Sequence, residues 1–389
     1  MAPALKPAVK VHRRIAEIGR AAWDACATHP DNAGNPFILF DFLDAAEESG
    51  CAVERTGWGP QHLSLEDEHG RVAAVAPLYL KSHSQGEYIF DHAWADAYER
   101  AGGRYYPKLL SAAPFTPATG PRLLVRPGVD VETARKSLLS AAVTLCGRYG
   151  ASSLHVNFPT EEEWLWMGEQ GLALRQGQQY HWMNAGYGSF DDFLGALSSG
   201  RRKTIRRERR DAQAGLEICA LTGSAITEAH WDAFFAFYMD TGSRKWGRPY
   251  LNRRFFSLLG ERMGERVLLV MARRGGRWIA GALNLIGDDC LFGRNWGAVE
   301  EVPFLHFELC YYQAIEWAID HGLARVEAGA QGQHKIARGY LPSVVRSAHF
   351  IADPALRGPV EDFVARERAA VEGEMEWLSD EFSPFRQGD

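Results

Sequence analysis

Two stretches of the chain run through the same order of elements, and this repetition constrains the fold more than any other feature. In the first stretch, alternating residues from Gln61 to Leu65 and from Val72 to Leu80, joined through Glu68-His69-Gly70, predict a hairpin. A strand over Pro121 to Val125, an amphipathic helix over Val131 to Tyr149 and a strand over Ser153 to Phe158 come next, and Gly171 to Asn184 closes the stretch as a second hairpin. In the second stretch, Val267 to Arg273 and Trp278 to Ile286 flank Gly275-Gly276, and a third strand runs from Cys290 to Trp296. A helix from about Phe304 to His321 then leads to a strand at Arg325, and Gly339 to Ala352 closes this stretch as a hairpin too. Gly171 and His181 are separated as Gly339 and His349 are, and an aromatic follows each histidine (Trp182, Phe350). A shared order with a shared spacing marks an internal duplication.

Length agrees, because 389 residues exceed one ordinary core and two domains are the natural division. The expected units are an N-terminal domain over 1–188, a basic helical connector over 189–215 and a C-terminal domain over 216–389 that carries the active site. An apolar content of 46% with 12% aromatics is that of a globular protein. The net charge of −6 argues against a protein that coats DNA or any nucleic acid over a wide surface, while leaving room for a local basic patch. The cysteines, Cys26, Cys51, Cys146, Cys219, Cys290 and Cys310, lie far apart without a Cys-x-x-Cys pair, as expected of reduced thiols in a cytosolic protein. The first twenty residues hold no apolar core of signal-peptide length, and no run approaches the ~18 apolar residues of a spanning helix. The expected location is the cytoplasm.

Between these landmarks, the basic N-terminus predicts a first helix, and Asn35-Pro36 opens the next with Asn as cap and Pro in the first turn. The passage from Tyr105 to Gly120 contains three interior prolines, which exclude a helix and suggest a wall or lid. Thr160 opens a helix, and Ser189 caps another that buries Phe190, Phe193, Leu194 and Leu197 until Gly200 interrupts it. RRKTIRRERR follows, from Arg201 to Arg210, with seven basic residues in ten. The tail from Pro354 is a charged helix expected to pack on the second domain through Leu356, Phe363 and Val371.

The densest chemistry lies between Arg325 and Ser343. A short strand, a turn with Gly329 and Gly332, and the cations His334, Lys335 and Arg338 lead into Gly339-Tyr340. Glu327 is the first candidate for a catalytic base, with His334 second and Lys335 beside them. Arg338 and Tyr340 are candidate substrate-binding residues, as are Arg294, Asn295 and Trp296 at the end of the facing strand, and His306 and Glu308 in the helix after it. Each has a structural alternative: an ion pair of Glu327 with Arg325 or Lys335, a solvated face for Lys335 and Arg338, and a packing role for His306. No histidine and carboxylate cluster has metal-ligand spacing, and no Gly-x-Ser-x-Gly elbow follows a strand.

Hairpin, strand, amphipathic helix and strand, with the last two strands framing a polar opening, is the order of the GNAT acyltransferase fold, and the chain resembles a tandem of two such domains with mixed α/β sheets. More narrowly it resembles the FemAB-like family of peptidoglycan biosynthesis/recognition. The stretches that carry the likeness begin at Lys108 (KLLSAAPFTPATGPRLL), Arg201 (RRKTIRRERR), Phe292 (FGRNWGAVEEVPFLHFELCYY) and Arg325. The resemblance implies an aminoacyltransferase that takes an amino acid from aminoacyl-tRNA and forms an amide on an amine of a small molecule, a peptide or a cell-wall precursor. It also places the late basic segment, here Lys335, Arg338 and Gly339, near the acceptor. No resident cofactor is implied, since the charged tRNA is a co-substrate.

Donor choice turns on one loop. An acyl-CoA donor would ask for a glycine-rich helix start to bind pyrophosphate, whereas Gly297 to His306 reads GAVEEVPFLH, with two carboxylates and a proline. A charged tRNA finds Arg201, Arg202, Lys203, Arg206, Arg207, Arg209 and Arg210 for its phosphates, and Lys245 with Trp246 for a stacked terminal base. An acyl-CoA-dependent N-acyltransferase and a non-catalytic GNAT-fold binding protein are the alternatives.

Overall fold

The computed structural model describes residues 3–29, 34–245, 249–329 and 332–386, apart from the side chains of Pro7 and of residues 243–245. The chain forms two compact units, one of residues 1–177 with 344–372 and the other of residues 178–343 with 373–389. These differ from contiguous domains divided at 188 and 215. The reason is that Gly171 to Asn184 and Gly339 to Ala352 hold single long strands, Ala173–Met183 and Leu341–Ile351, where hairpins were expected, and the unit boundaries cut through both. The end of the first strand pairs with Arg325–Glu327 in the second unit, and the end of the other pairs with Ser153–Asn157 in the first unit.

In the first unit, Leu5–His12, His62–Asp67, Val72–Ala76 and Leu124–Val125 form an antiparallel sheet in that order. The expected basic helix at the N-terminus is a strand over Leu5–His12: it pairs antiparallel with His62–Asp67 and sets Leu5 and Val9 on the core, and Lys6 and Lys10, each following one of them, obscured the apolar period. Asn35 caps a short 3-10 turn as expected, its side chain accepting from Phe37 N–H. The proline-rich passage holds a strand, Lys108–Ser111, which runs parallel to Ser153–Asn157 and antiparallel to Tyr79–Lys81. Leu109, Leu154, Val156 and Ala348 share an apolar core with Leu138 and Leu145 of the helix Val131–Tyr149. By the alternation of a strand, Lys108, His155 and Asn157 fall on the opposite face. The tail helix Pro354–Phe382 begins in this unit, where Leu356, Val360 and Val364 pack with Trp94 and Tyr105; Leu356, Phe363 and Val371, expected on the second domain, all belong to the first unit.

In the second unit, Glu217–Thr222, Val267–Arg274, Arg277–Ile286 and Cys290–Ala298 are antiparallel neighbours. Arg325–Glu327 joins them in parallel, with Cys290 opposite Arg325 and Phe292 opposite Glu327. Gly297 is required by close approach, since a Cβ there would stand 2.2 Å from the backbone of Phe237. The helix after this strand is not uniform: α-turns Leu305–Phe307 and Gln313–Asp320 flank a π segment, Glu308–Tyr312. π segments of this kind are rare and concentrate at functional sites. Ser189 caps Phe190–Ala196 as expected, but the break that follows lies at Leu197-Ser198, and Gly200 sits inside the next helix, Ser199–Gln213.

Candidate acyl-transfer site

The site begins where two parallel strands part. Past Phe292 the strand Cys290–Ala298 continues, while its neighbour ends at Glu327. Register on its other side slips here, with Asn284 opposite Gly293 and Leu283 opposite Asn295, so Arg294 is the extra residue of a β-bulge. Arg294, Asn295 and Trp296 thus stand beyond the last parallel pair, as the sequence suggested. Glu327 is buried. Its Oε1 accepts from Arg325 Nε at 3.3 Å, its Oε2 has no hydrogen-bond partner, and His181 Nε2 lies 4.0 Å from that oxygen. Burial holds His181 below the usual histidine range, so at neutral pH it faces Glu327 as an imidazole rather than a cation. Both the ion-pair reading and the base reading of Glu327 therefore have a share: one oxygen is engaged, and one is left over.

Gly329 and Gly332 lead into the short helix Gln333–Arg338, which ends on Gly339 in the left-handed region (φ 95°). A side chain at Gly339 would also meet Phe193 at 2.8 Å. On this helix Lys335 is buried, donating from Nζ to Ala328 O at 2.7 Å and Gly329 O at 3.0 Å, and burial pushes its ammonium down to about 8. Arg338 donates to His334 O and, through Nη2, to both oxygens of Glu208 at 2.8 and 3.0 Å, with its guanidinium 3.4 Å from the centre of the Phe307 ring. His334 is exposed and shares a 3.0 Å hydrogen bond with Tyr311. Tyr340 is fully buried and donates to Tyr311 O, and Glu308 is fully buried, accepting from Arg209, Gln213 and Gln313. The structure thus gathers Glu327, Lys335 and His181, while Glu308 and Tyr340 serve the packing behind them. His306 rests edge-on against Trp296.

Residues 14–387 match the family described as FemAB-like, peptidoglycan biosynthesis/recognition. This chain belongs to the FemAB-like family. Among solved structures, FemX is similar at 13% identity and a TM-score of 0.53, over 88% of this chain and 98% of that one. The C-terminal domain of a lysylphosphatidylglycerol synthetase from Agrobacterium fabrum is similar at 10% identity and a TM-score of 0.51, over 92% and 97%. A tandem GNAT protein from the clavulanic acid biosynthesis pathway aligns at 11% identity and a TM-score of 0.48, over 89% and 99%. A comparison with curated proteins finds no match. The fold is the expected tandem GNAT arrangement, shared with FemX, and membership places the chain in a family of peptidoglycan biosynthesis/recognition. Among its described residues no helix is long and apolar enough to cross a membrane, and no cluster of His, Cys, Asp or Glu is placed to hold a metal.

The basic helix of the FemAB-like protein has two faces. Ile205, Glu208 and Ala212 are buried, and Arg209 is turned inward to Glu308 and Glu316 with its guanidinium over Phe190. Lys203, Arg206, Arg207 and Arg210 fall on one exposed stripe at i, i+3, i+4 and i+7 spacing. Arg206 pairs with exposed Asp191 and Arg210 with Asp211; Arg201 is exposed and Arg202 half-buried. Trp246 lies outside the described residues, as does the side chain of Lys245. In the loop where a pyrophosphate would seat, Val299 N–H donates to Ile279 O, Leu305 N–H donates to Val302 O, and Glu300 pairs with Arg274 and Arg277. Sequence reasoning missed Glu208 and His181 as site residues. Glu208 is the lone acid in the basic run, a signal that was present; His181 is brought to Glu327 by a strand pairing far along the chain.

Proposed function

We propose that this protein is an aminoacyltransferase that takes an amino acid from aminoacyl-tRNA and forms an amide on an amine acceptor, a small molecule, a peptide or a cell-wall precursor. The observation that carries this reading is the buried, unpartnered Oε2 of Glu327 at the parting of the strands. Glu327 accepts a proton from the acceptor ammonium, and the amine then attacks the ester carbonyl. Past Phe292 the backbone N–H groups of the bulged strand supply donors for the oxyanion. As the new C–N bond forms, the C–O bond to the ribose breaks; Lys335, whose proton is only weakly held, gives the leaving oxygen its proton and takes in return the second proton of the attacking nitrogen. Support for a tRNA donor comes from the exposed stripe of Lys203, Arg206, Arg207 and Arg210 and from a helix-start loop whose N–H groups at Val299 and Leu305 are already engaged.

The reading is tested by incubating the protein with a mixed pool of charged tRNAs and candidate amines while following the aminoacyl ester. Loss of ester that depends on both protein and acceptor is expected. Intact ester in every combination, with saturable acyl-CoA binding by calorimetry, would replace the donor.

A further inference from the structure

Strand pairing sets His181 directly opposite Glu327, and Gln179, two residues back on the same strand, shares their face of the sheet. All three side chains are buried. His181 Nε2 lies 3.2 Å from Gln179 Oε1 and 4.0 Å from Glu327 Oε2. An amide oxygen and a carboxylate oxygen both accept, so the ring nitrogen between them carries the proton. The shorter distance gives that N–H to Gln179, and the longer one leaves Glu327 Oε2 buried without a hydrogen-bond partner. A buried carboxylate oxygen this close to a buried N–H would ordinarily take it, because the bond to a charged acceptor is the stronger of the two. Gln179 prevents this.

We infer that Gln179 is a positioning residue for the base: it holds the imidazole N–H of His181 away from Glu327 and so keeps Oε2 open for the proton of the acceptor ammonium. The inference rests on the proposed reading of Glu327 as the base and adds the group that keeps that base unquenched. Its physical ground is the form of the carboxyl group that each bond favours. An N–H on Oε2 stabilises the carboxylate and has to be given up when that oxygen takes a proton, so it weakens the base. With the N–H held on the amide, Oε1 keeps its bond from Arg325 at 3.3 Å, which orients the group, and Oε2 takes the proton without losing a partner. Arg325 is itself paired with Asp289, and Lys335 and the Cys290 thiol complete the ionisable surroundings of Glu327 and His181. Burial keeps His181 uncharged and the thiol protonated at neutral pH, so a change at Gln179 acts through the position of one N–H rather than through a new charge.

The experiment uses the full chain in two measurements. In protein carrying isotope-labelled histidine, with the ring nitrogens read by NMR and the His181 signals identified by their loss in His181→Phe, the wild-type proton should sit on Nε2. A proton on Nδ1 overturns the inference without recourse to any Gln179 variant. The second measurement follows single-turnover transfer from charged tRNA to an amine acceptor as a function of pH. Gln179→Leu frees the N–H to turn to Glu327, which should move the acidic limb of the profile down by about one pH unit and lower the plateau several-fold. Adding His181→Phe to Gln179→Leu removes the N–H and should return the limb to its wild-type position, a coupling that packing alone does not produce. A Gln179→Leu limb that superposes on wild type, or a shift that persists in the double variant, overturns the positioning role and leaves Glu327 standing as the base. No transfer by wild type, or a Glu327→Gln protein with the wild-type rate and limb, overturns the base reading and the inference with it.

Discussion

Lys108 in the first unit and Lys335 in the second are both buried amines beside a parallel strand pair, and their surroundings differ in kind. Lys108 donates to Ser84 and Glu87 at 2.7 Å and is also bonded to Asp91; burial works against its charge, but the two carboxylates lift it above the usual lysine range. Next to it, His155 and His349 share a 2.6 Å Nδ1 to Nδ1 hydrogen bond, with their Nε2 atoms held by Ser153 and Ser347. One Nδ1 donates and the other accepts, so the bond is lost once both rings are protonated. The matching strand pair of the second unit sets Glu327 against His181 at 4.0 Å, and Lys335 is held by carbonyl oxygens. In the first unit both carboxylates stand against Lys108, although Glu87 Oε1 and Asp91 Oδ1 accept no hydrogen bond and burial lowers the neighbouring Lys81 to about 7; in the second, Glu327 has Arg325 on one oxygen and an uncharged imidazole near the other. Duplication thus supplied one frame twice, and the proposed function places proton transfer in the second copy.

The contrast is broken most directly at Lys108. Lys108→Met should destabilise the protein by about 3–5 kcal/mol, because it leaves buried Asp91 without its lysine and Glu87 with Lys81 alone, at 3.6 Å. Lys335→Met should lower the unfolding midpoint much less in the same denaturant titration, and equal losses would erase the distinction. Acid sharpens the comparison further. Burial lowers His155 to about 3 and His349 well below its usual value, while in the unfolded chain both take up protons near pH 6.5. Stability is therefore full above pH 6.5 and lost as pH falls toward 3, and a double His155→Gln, His349→Gln protein should show a flatter pH profile by thermal unfolding. On the alkaline side, the Lys335 ammonium disappears as pH rises through about 8, so turnover should fall with a midpoint near that value, and Lys335→Arg should move the fall upward. The smallest effect is expected at Arg206, whose exposed pair with Asp191 contributes little. Arg206→Gln should leave the melting temperature unchanged and only reduce the salt dependence of RNA binding.

Local chemistry made much of this readable from the sequence. Asn35, Thr160 and Ser189 are caps because a side-chain oxygen satisfies an N–H within a few residues, and each is found in place. Glu327 and Lys335 stand out in the sequence because glycines bracket a polar turn after a short strand. What escaped depends on partners distant in the chain. Nothing near Gly171 or Gly339 tells whether a closing segment folds back on itself or crosses to pair with Glu327 or His155. Lys108 lay hidden in a proline-rich passage because its strand is defined by neighbours at Tyr79–Lys81 and Ser153–Asn157. Arg209 and Arg210 are adjacent in a uniform basic run, yet only Arg209 faces the buried Glu308.

The decisive measurement is the single-turnover rate at which enzyme in excess strips the amino acid from charged tRNA in the presence of an amine acceptor, compared between wild type and Glu327→Gln at equal bound tRNA. A base that takes the acceptor's proton predicts a rate about a hundred-fold lower for the amide variant, with its fold and RNA affinity retained. Equal rates for the two proteins would contradict the assignment of the second unit's Glu327 as the proton acceptor.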